Sequence, residues 1–304
     1  MKAAGISAGP SWVGVLLLGL WLAVGGRAGP LTIATYNVEN YTAADRLTED
    51  GYRRDYPKPE VAKQALRTVL RALNADVLVL QEIGPRPYLV ELQRDLRAEG
   101  LDYPYAELVE AADEARHIAV LAKVAPTKLT VHGDLRFKYF DGQERVKRGL
   151  LELTLTTPAG ELTLWAVHLK SRFTERPDDP QAAVRRVGEA VAIRDLVLQR
   201  HPDPTVARFL LLGDFNAAKT SRPLRAMQER GQTRIAHLLP ASDSRGERWT
   251  HFYAREESYE RVDFFLVSPG LRPWVVGEGA VIADSPETRL ASDHRPLVLQ
   301  LQIP

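Results

Sequence analysis

The stretch from Arg208 to Ala218 constrains the fold more than any other part of this 304-residue chain. Phe209 to Leu212 are consecutive apolar residues, which predicts a short strand buried on both faces. We expect Gly213 to break this strand. Asp214 and Asn216 are two positions apart, so in extended backbone they point to the same side. The stretch is therefore either a strand followed by an Asx turn or the base of a reaction centre.

Composition excludes several kinds of site. The 40 Lys and Arg residues against 39 Asp and Glu give a net charge of +1, so no bulk positive field favours non-specific nucleic-acid binding. A local basic groove is still compatible with a neutral chain. The sequence contains no cysteine, which removes disulfides, thiolate metal ligands and a cysteine nucleophile together.

The first 28 residues have the pattern of a secretory signal peptide. Val13 to Val24 are apolar throughout, Lys2 precedes them, and small residues follow at Gly26 and Ala28, on either side of Arg27. This run is short for a transmembrane span, which needs about 20 residues. We expect a secreted or periplasmic protein whose mature chain begins at Gly29, with an uncleaved membrane anchor as the alternative.

Apolar periodicity along the remaining chain predicts alternating strands and helices. Residues 40–60 are polar and contain prolines, so we expect a surface loop there. Helices are predicted at Glu60–Leu73, Tyr88–Glu99, Gln181–Gln199 and Pro223–Arg230. Further strands are predicted at Leu31–Tyr36, Val77–Leu80, His117–Lys123, Thr127–Val131, Gly149–Thr156, Glu161–His168, Trp249–Tyr253, Arg261–Val267, Trp274–Ala280 and Arg295–Gln302. This order indicates one α/β domain over residues 29–304, with sheet packed on sheet and helices outside.

Polar side chains follow many of these strands, where functional residues tend to lie. Taken singly, most of these residues also have a purely structural explanation. An asparagine at such a place can cap a turn, and a histidine can form all its hydrogen bonds within the sheet. Asp263 is harder to explain in this way, because a charge inside the apolar run R-V-D-F-F-L-V is costly unless it is paired. The whole set is Asn37, Glu82, His168, Asp214, Asn216, Asp263, Asp293 and His294.

The chemistry of this set favours a divalent metal and hydrolysis of a phosphate ester. Carboxylate and amide oxygens suit Mg²⁺ or Mn²⁺, and no H-E-x-x-H zinc pattern is present. A divalent ion beside histidines stabilises the charge of a phosphoryl transition state. The sequence has no G-x-x-x-x-G-K-[ST] motif, so nucleotide-driven phosphoryl transfer is not expected.

Six motifs in order resemble those of the endonuclease/exonuclease/phosphatase superfamily, which includes deoxyribonuclease I, abasic-site endonucleases, neutral sphingomyelinases and inositol-polyphosphate 5-phosphatases. They span nearly all of the expected mature chain. The motifs are T-Y-N-V-E-N at Thr35–Asn40, L-Q-E at Leu80–Glu82, A-V-H-L-K-S at Ala166–Ser171, G-D-F-N-A at Gly213–Ala217, R-V-D-F-F-L-V-S at Arg261–Ser268 and S-D-H-R-P-L at Ser292–Leu297.

The resemblance implies a four-layer α/β sandwich and a metal-dependent phosphoesterase. By position, Glu82 would be the principal metal ligand, with Asn37 and Asp293 assisting. Asp214 would orient or deprotonate the attacking water. Asn216 would bond the phosphate oxygens or fix that water.

The resemblance also implies roles for the histidines. His294 would stabilise the phosphoryl charge, held in its tautomer by Asp263. His168 would contact phosphate or protonate the leaving oxygen, as in the deoxyribonuclease and sphingomyelinase branches. The abasic-site enzymes carry a different residue at that position, which argues against their activity. Arg148 and Lys170 are further candidate phosphate contacts.

The substrate is the least constrained part of this interpretation. The form G-D-F-N, with Phe215, is closer to nucleases, so we expect a monomeric enzyme acting on DNA with no protein partner. A phospholipid or sugar phosphate is the alternative, and a catalytically silent binding module is a further one. Trp249, Phe252 and Tyr253 offer either stacking surfaces or core residues, and their alternation favours core. A solvated helix face is expected for Arg185, Arg186, Arg194 and Arg200.

Overall fold

Two mixed β-sheets lie face to face in the structure, a computed structural model that describes residues 29–48 and 50–304. The predicted signal peptide or membrane anchor, residues 1–28, lies outside the described residues. Within those residues, no helix combines the length and the apolar character needed to span a membrane.

The strands, in chain order, are β1 Gly29–Tyr41, β2 Ala44–Thr48, β3 Gly51–Tyr56, β4 Val77–Ile83, β5 Tyr105–Leu108, β6 His117–Ala122, β7 Lys128–Val131, β8 Arg136–Tyr139, β9 Gly142–Arg145, β10 Leu151–Thr157, β11 Gly160–His168, β12 Phe209–Asp214, β13 Glu229–Arg230, β14 Thr233–Arg234, β15 His237–Leu238, β16 Ala241–Ser242, β17 His251–Tyr253, β18 Ser258–Glu260, β19 Asp263–Val267, β20 Ala280–Ile282 and β21 Leu297–Ile303. The helices are α1 Glu60–Leu73, α2 Arg86–Ala98, α3 Ala183–Arg200, α4 Arg222–Gln228 and α5 Thr288–Ala291. Short 3₁₀ turns occupy Pro180–Ala182, Ala254–Glu256 and Arg272–Trp274.

In each large sheet, two central neighbouring strands are parallel and are connected through a helix. The first sheet has the order β16-β20-β21-β1-β4-β6-β5, in which β1 and β4 are parallel and α1 connects them. The second has the order β15-β19-β12-β11-β10-β7, in which β11 and β12 are parallel and α3 connects them. The carboxyl ends of parallel strands are where α/β proteins place their ligand sites. Here those ends carry Asn37, Glu82, His168 and Asp214.

Three apolar clusters separate four layers, which confirms the predicted α/β sandwich. The first cluster joins the two sheets, with Ile33 and Leu212 among its members. The second packs α1 and α2 on the outer face of the first sheet, and the third packs α3 and α4 on the second sheet. Leu210 belongs to the inter-sheet cluster and Leu211 to the helix side, so β12 is buried on both faces as its apolar run predicts.

The structure differs from the sequence prediction in the segments that lack a clear period. Residues 40–60, predicted as a loop, contain the hairpin of β2 and β3, and β5, β8 and β9 were not predicted. The prediction of a strand at Trp274–Ala280 is wrong. A 3₁₀ turn that includes Pro273 ends at Trp274, and β20 begins only at Ala280. Proline has no N–H to give to a strand ladder, and Gly277 has a positive φ of 71°.

Gly213 does not end its strand, contrary to the sequence prediction, because β12 continues to Asp214. Its φ is +136°, a conformation that side-chain-bearing residues rarely adopt. A Cβ atom at this position would lie 1.9 Å from the carbonyl oxygen of Val167 on β11. Glycine therefore allows the close approach of β11 and β12 directly before Asp214.

We predict that Gly213→Ala lowers the free energy of unfolding by about 2–4 kcal/mol, because backbone strain and a steric clash add. Gly231→Ala is the matched control, since Gly231 also has a positive φ, of 57°, but a Cβ atom there would meet no other atom within 4 Å. That control should cost about 1 kcal/mol, through φ alone. Urea unfolding of both variants measures the difference. Equal losses would show that the contact with Val167 is unimportant.

Candidate active site

Three of the predicted residues lie side by side across the second sheet. In the strand register, Asp214 on β12 pairs with His168 on β11 and with Asp263 on β19. Residues opposite one another on adjacent strands project to the same face. The register therefore brings the three side chains together at one edge, and all three are buried.

The first sheet supplies Asn37 and Glu82 from strand ends with irregular backbone. The pairing of β1 with β4 shifts register between Asn37 and Tyr41, and the pairing of β4 with β6 shifts around Glu82. Glu82 has a positive φ of 65°, and its carboxylate accepts the backbone N–H of Asn40 at 3.0 Å. Bulges of this kind are common at functional sites, where they change the direction in which a side chain points.

Hydrogen bonds join the two sheets at this edge. Asn37 Nδ2 donates to Asp214 Oδ2 at 3.0 Å. His294, which precedes β21 of the first sheet, places Nδ1 at 2.9 Å from Asp263 Oδ2 of the second. Ser292 braces the same region, because its hydroxyl donates to the Asn37 carbonyl at 2.8 Å and accepts the His294 N–H at 3.0 Å.

The segment after β12 is both an Asx turn and part of this centre. The Asn216 N–H donates to Asp214 Oδ1 at 2.7 Å, and Asn216 Nδ2 lies 3.1 Å from Asp214 Oδ2. Asn216 has a positive φ of 47°, which asparagine tolerates better than most residues. Phe215, between them, is completely buried and packs edge-on against Phe264. It therefore has no surface to offer a substrate.

Charge is distributed unequally over the histidines and aspartates. Burial alone would lower the pKa of His294, but the Asp263 carboxylate, followed by Asp293 and Asp214, raises that pKa well above its ordinary value. His294 is thus a cation at neutral pH. Burial, followed by the charge of Asp263, raises the pKa of Asp214 to about 6, which suits a group that exchanges a proton.

His168 is the opposite case. Burial, and next the charge of Arg148, lower the pKa of His168 well below its ordinary value, so the ring is neutral. Its Nε2 lies 3.5 Å from Asp214 Oδ2. Among the described residues, neither ring nitrogen has a hydrogen-bond partner, and Asp263 Oδ1 also lacks one. Buried polar atoms are normally satisfied, so these atoms mark a place where a ligand would bind.

An acidic group that includes Glu39 borders this set and fits a divalent cation. Partial burial, followed by the charge of Asp293, raises the pKa of Glu39; Lys58 and Arg46 oppose this and Glu82 adds to it. Asn37 Oδ1 accepts the Glu39 N–H at 3.0 Å. Carboxylates with an amide oxygen are the donor set that Mg²⁺ or Mn²⁺ takes. Among the described residues, the ligand atoms that lie within 4.8 Å of one another belong to His251, Asp293 and His294 and to Asp214, Asp263 and His294, so Asp293 is the acidic residue that joins Glu39 to such a group. Glu39 was not among the residues predicted from the sequence, although it lies in the same T-Y-N-V-E-N motif.

His251 is a second site residue that was not predicted from the sequence. Its Nε2 lies 3.5 Å from Asp293 Oδ2, and its ring centroid lies 4.5 Å from that of His294. A β-bridge between His251 and His294 sets this contact. Only the pairing of two distant segments reveals it, because the local pattern around His251 is that of an ordinary strand.

The two predicted phosphate contacts, Arg148 and Lys170, form hydrogen bonds with other groups of the protein. Arg148 is buried, and its guanidinium donates to Asp113 at 2.9 Å and to the Leu169 carbonyl at 3.2 Å. Lys170 Nζ contacts Ser171 and the Phe173 carbonyl, so it folds onto its own loop. Burial, followed by the charge of Arg148, lowers the pKa of Lys170 to about 8.

Comparison with known families decides what kind of protein carries this centre. The model of the Endonuclease/Exonuclease/phosphatase family matches residues 34–294, which include every candidate site residue. The chain belongs to this family. Its members are hydrolytic, divalent-metal-dependent phosphoesterases. A comparison with curated protein sequences gives no match.

Solved structures with the same fold include other Endonuclease/Exonuclease/phosphatase proteins. The human nocturnin catalytic domain has 14% identity and a TM-score of 0.63, with 92% of this chain and 96% of that chain covered. Sphingomyelinase C from Streptomyces griseocarneus has 17% identity and a TM-score of 0.57, covering 90% and 99%. A mutant beta toxin from Staphylococcus aureus with bound magnesium ions has 14% identity and a TM-score of 0.61, covering 88% and 98%. These likenesses show a shared fold.

We predict that Asp263→Asn lowers kcat by about 10²-fold or more, because the carboxylate that keeps His294 protonated and oriented is lost. The pKa of His294 should fall toward its ordinary value, so the alkaline limb of the pH–rate profile should move to lower pH. Histidine ¹⁵N NMR and the pH dependence of kcat measure both effects. Asp102→Asn, on the surface, is the control. An unchanged alkaline limb in Asp263→Asn would contradict the assigned interaction.

Proposed function

We propose that the protein is an exported Mg²⁺- or Mn²⁺-dependent nuclease that hydrolyses phosphodiester bonds of DNA. Its membership of a phosphoesterase family supports the reaction. Export rests on the signal-peptide pattern of the first 28 residues. The choice of DNA rests on one observation, an aromatic cavity beside Asp293 and His294.

This cavity has a volume of about 300 Å³, and its walls include Trp249, Phe252 and Tyr259. Trp249 and Phe252 are half-buried, and Tyr259 is 54% exposed. The sequence pattern favoured core positions for Trp249, Phe252 and Tyr253, and that interpretation is wrong, because none of them is buried. Aromatic faces next to a reaction centre suit stacking with nucleobases, whose π-faces are common to every sequence.

Arg295 holds the aromatic wall in place. Its guanidinium carbon lies 3.5 Å from the Trp249 ring centroid, and Nε donates to the Trp249 carbonyl at 3.1 Å. The same guanidinium donates to Asp243 at 2.9 Å, and Asp243 is buried. An arginine stacked and hydrogen-bonded in this way loses little freedom when a ligand binds, so the wall is preorganised.

The mechanism follows from the protonation states of the buried groups. Asp214, with a pKa of about 6, accepts a proton from the attacking water, and Asn216 orients that water or a phosphate oxygen. Cationic His294 stabilises the charge that develops on the phosphoryl oxygens. Neutral His168 donates a hydrogen bond to the same group. Glu39, Glu82, Asp293 and Asn37 would hold a divalent ion there, and that ion would supply Lewis-acid stabilisation of the phosphoryl charge.

A phospholipid headgroup is the second candidate substrate, and one feature of the cavity favours it. Glu39 and Asp293 line the same space as the aromatic rings. Aromatic faces with nearby carboxylates bind quaternary ammonium groups, which choline headgroups carry. A DNA strand would need the cation to offset these charges.

We predict that the protein hydrolyses bis-p-nitrophenyl phosphate with Mg²⁺ or Mn²⁺ and loses this activity with EDTA. Asp214→Ala and His294→Ala should each reduce kcat by about 10²-fold or more, since each removes a group that acts only in the transition state. Asp102→Ala, on the surface, is the matched carboxylate control. Release of p-nitrophenol measures the rate. Full activity in either site variant would contradict the assignment of Asp214 and His294 as catalytic residues.

We predict that plasmid DNA is cut in the presence of the metal and that Phe252→Ala raises the KM for DNA about tenfold, the loss of one stacking contact. Hydrolysis of bis-p-nitrophenyl phosphate should change little in this variant. Val90→Ala, which removes an exposed apolar side chain on α2, is the control. If DNA survives while sphingomyelin or a phosphoinositide is cleaved, the nuclease proposal is wrong and the headgroup interpretation replaces it.

A further inference from the structure

A second cavity borders the reaction centre on the side of Asn216. It has a volume of about 470 Å³ and lies between α3 and α4. Asn216 forms part of its wall, and the same Asn216 side chain contacts Asp214 at 3.1 Å and the Leu169 carbonyl at 3.0 Å. The cavity is therefore one side chain away from the carboxylate that the mechanism uses.

The walls of this cavity carry positive charge. Arg172, Arg186 and Arg222 line it, and no Asp or Glu side chain does so within the part of the chain that the structure describes. Arg172 is partly neutralised, because it forms a two-pronged ion pair with Glu260 outside the lining. Arg186 and Arg222 have no ion pair among the described residues. The charged side chains that line the cavity are therefore all cationic.

Arg186 is the most unusual of these residues. It is 6% exposed, contrary to the solvated helix face that the sequence predicts. Its only acceptor among the described residues is the Lys170 carbonyl, 3.1 Å from Nη1. Burial, followed by the charge of Arg172, lowers the pKa of Arg186, and the charges of Glu189, Asp179 and Asp214 oppose this shift. Since that carbonyl is its one hydrogen-bond acceptor among the described residues, Arg186 has further N–H groups with which to bind an anion.

A second group points to a ligand independently. Ser221 lines the same cavity, and its buried hydroxyl has no hydrogen-bond partner among the described residues. The hydroxyl does not cap α4 either. A serine hydroxyl and arginine N–H groups are the donors that proteins use for phosphate oxygens.

We propose that this cavity binds a second phosphate group of the same substrate, next to the phosphate that is cleaved. The proposal rests on the phosphodiesterase function above, and it adds the residues that bind the phosphate next to the cleaved one. Arg186 binds the group from the buried side, and Arg222 binds it from the exposed side. The second phosphate is either the next diester of a polynucleotide or a terminal monoester.

Short thymidine oligonucleotides test this subsite, namely TpT with one diester, TpTpT with two, and pTpT with a diester and a terminal monoester. The protein should cleave at least one of the longer two with kcat/KM about tenfold above that for TpT, the gain expected of one charge-assisted contact. A gain with TpTpT identifies the diester as the occupant, and a gain with pTpT alone identifies the monoester. Equal kcat/KM for all three overturns the proposal.

Variants of the exposed arginine place the effect in the cavity. Arg222→Ala should abolish the gain and leave hydrolysis of TpT and bis-p-nitrophenyl phosphate unchanged, and Arg222→Lys should keep part of it. Arg225→Ala, one turn along α4 and outside the cavity, is the control with the same charge change. Arg186→Met tests the buried side, with thermal unfolding to verify its fold. Identical behaviour of Arg222→Ala and Arg225→Ala overturns the proposal.

A binding measurement separates this subsite from the proposed reaction. Calorimetry with thymidine 3′,5′-bisphosphate needs no turnover, and Arg222→Ala should weaken binding about tenfold relative to wild type and Arg225→Ala. If bis-p-nitrophenyl phosphate is not hydrolysed but this difference appears, the reaction is wrong and the phosphate subsite stands. If hydrolysis occurs but no difference appears, the subsite alone is wrong.

Discussion

The hydrogen bond between His294 and Asp263 is the interaction on which the rest of the site depends. It crosses from one sheet to the other at 2.9 Å, and a second bond from Asn37 to Asp214 crosses beside it at 3.0 Å. A buried charge pair of this kind gains little stability overall, yet losing one partner leaves the other charge buried and unpaired. The centre therefore forms only when the two sheets have packed against each other. Its residues connect the two sheets as well as supplying the reactive groups.

The chemistry of the site could be predicted from the sequence because apolar runs identify strands and the polar residue after a run identifies a strand end. Asp263 shows this most clearly, since a carboxylate inside an apolar strand had to have a partner, and the structure gives it His294. The register that aligns His168, Asp214 and Asp263 was not predictable, because it depends on strands far apart in the chain. Glu39 was missed for a related reason: it lies within the register shift of β1 between Asn37 and Tyr41, where a two-residue period no longer indicates the direction of a side chain.

Two other errors came from patterns that fit more than one environment. The alternation W-T-H-F-Y is typical of a core strand, but in the structure only His251–Tyr253 forms a strand, β17, in a two-stranded sheet. Phe252 of this strand and Trp249 before it line a cavity. Four arginines on one helix are typical of a solvated face, but Arg186 lies beneath the segment that follows β11 and binds its Lys170 carbonyl. Local periodicity gives the spacing of side chains. Burial depends on what the fold later packs against them.

The net charge of +1 also hides how charge is arranged around the centre. One cavity, beside His294, combines aromatic rings with the carboxylates of Glu39 and Asp293, while the other, beside Asn216, is lined by arginines. Both touch the same hydrogen-bonded set, so a substrate lying across it meets an apolar, cation-accepting wall at one end and an anion-accepting wall at the other. A nucleotide lying across the set would place its base on the aromatic rings at the first end and a phosphate at the arginines of the second. Near-neutral overall charge removes long-range attraction to nucleic acid, but recognition at the reaction centre depends on the local field within a few ångströms.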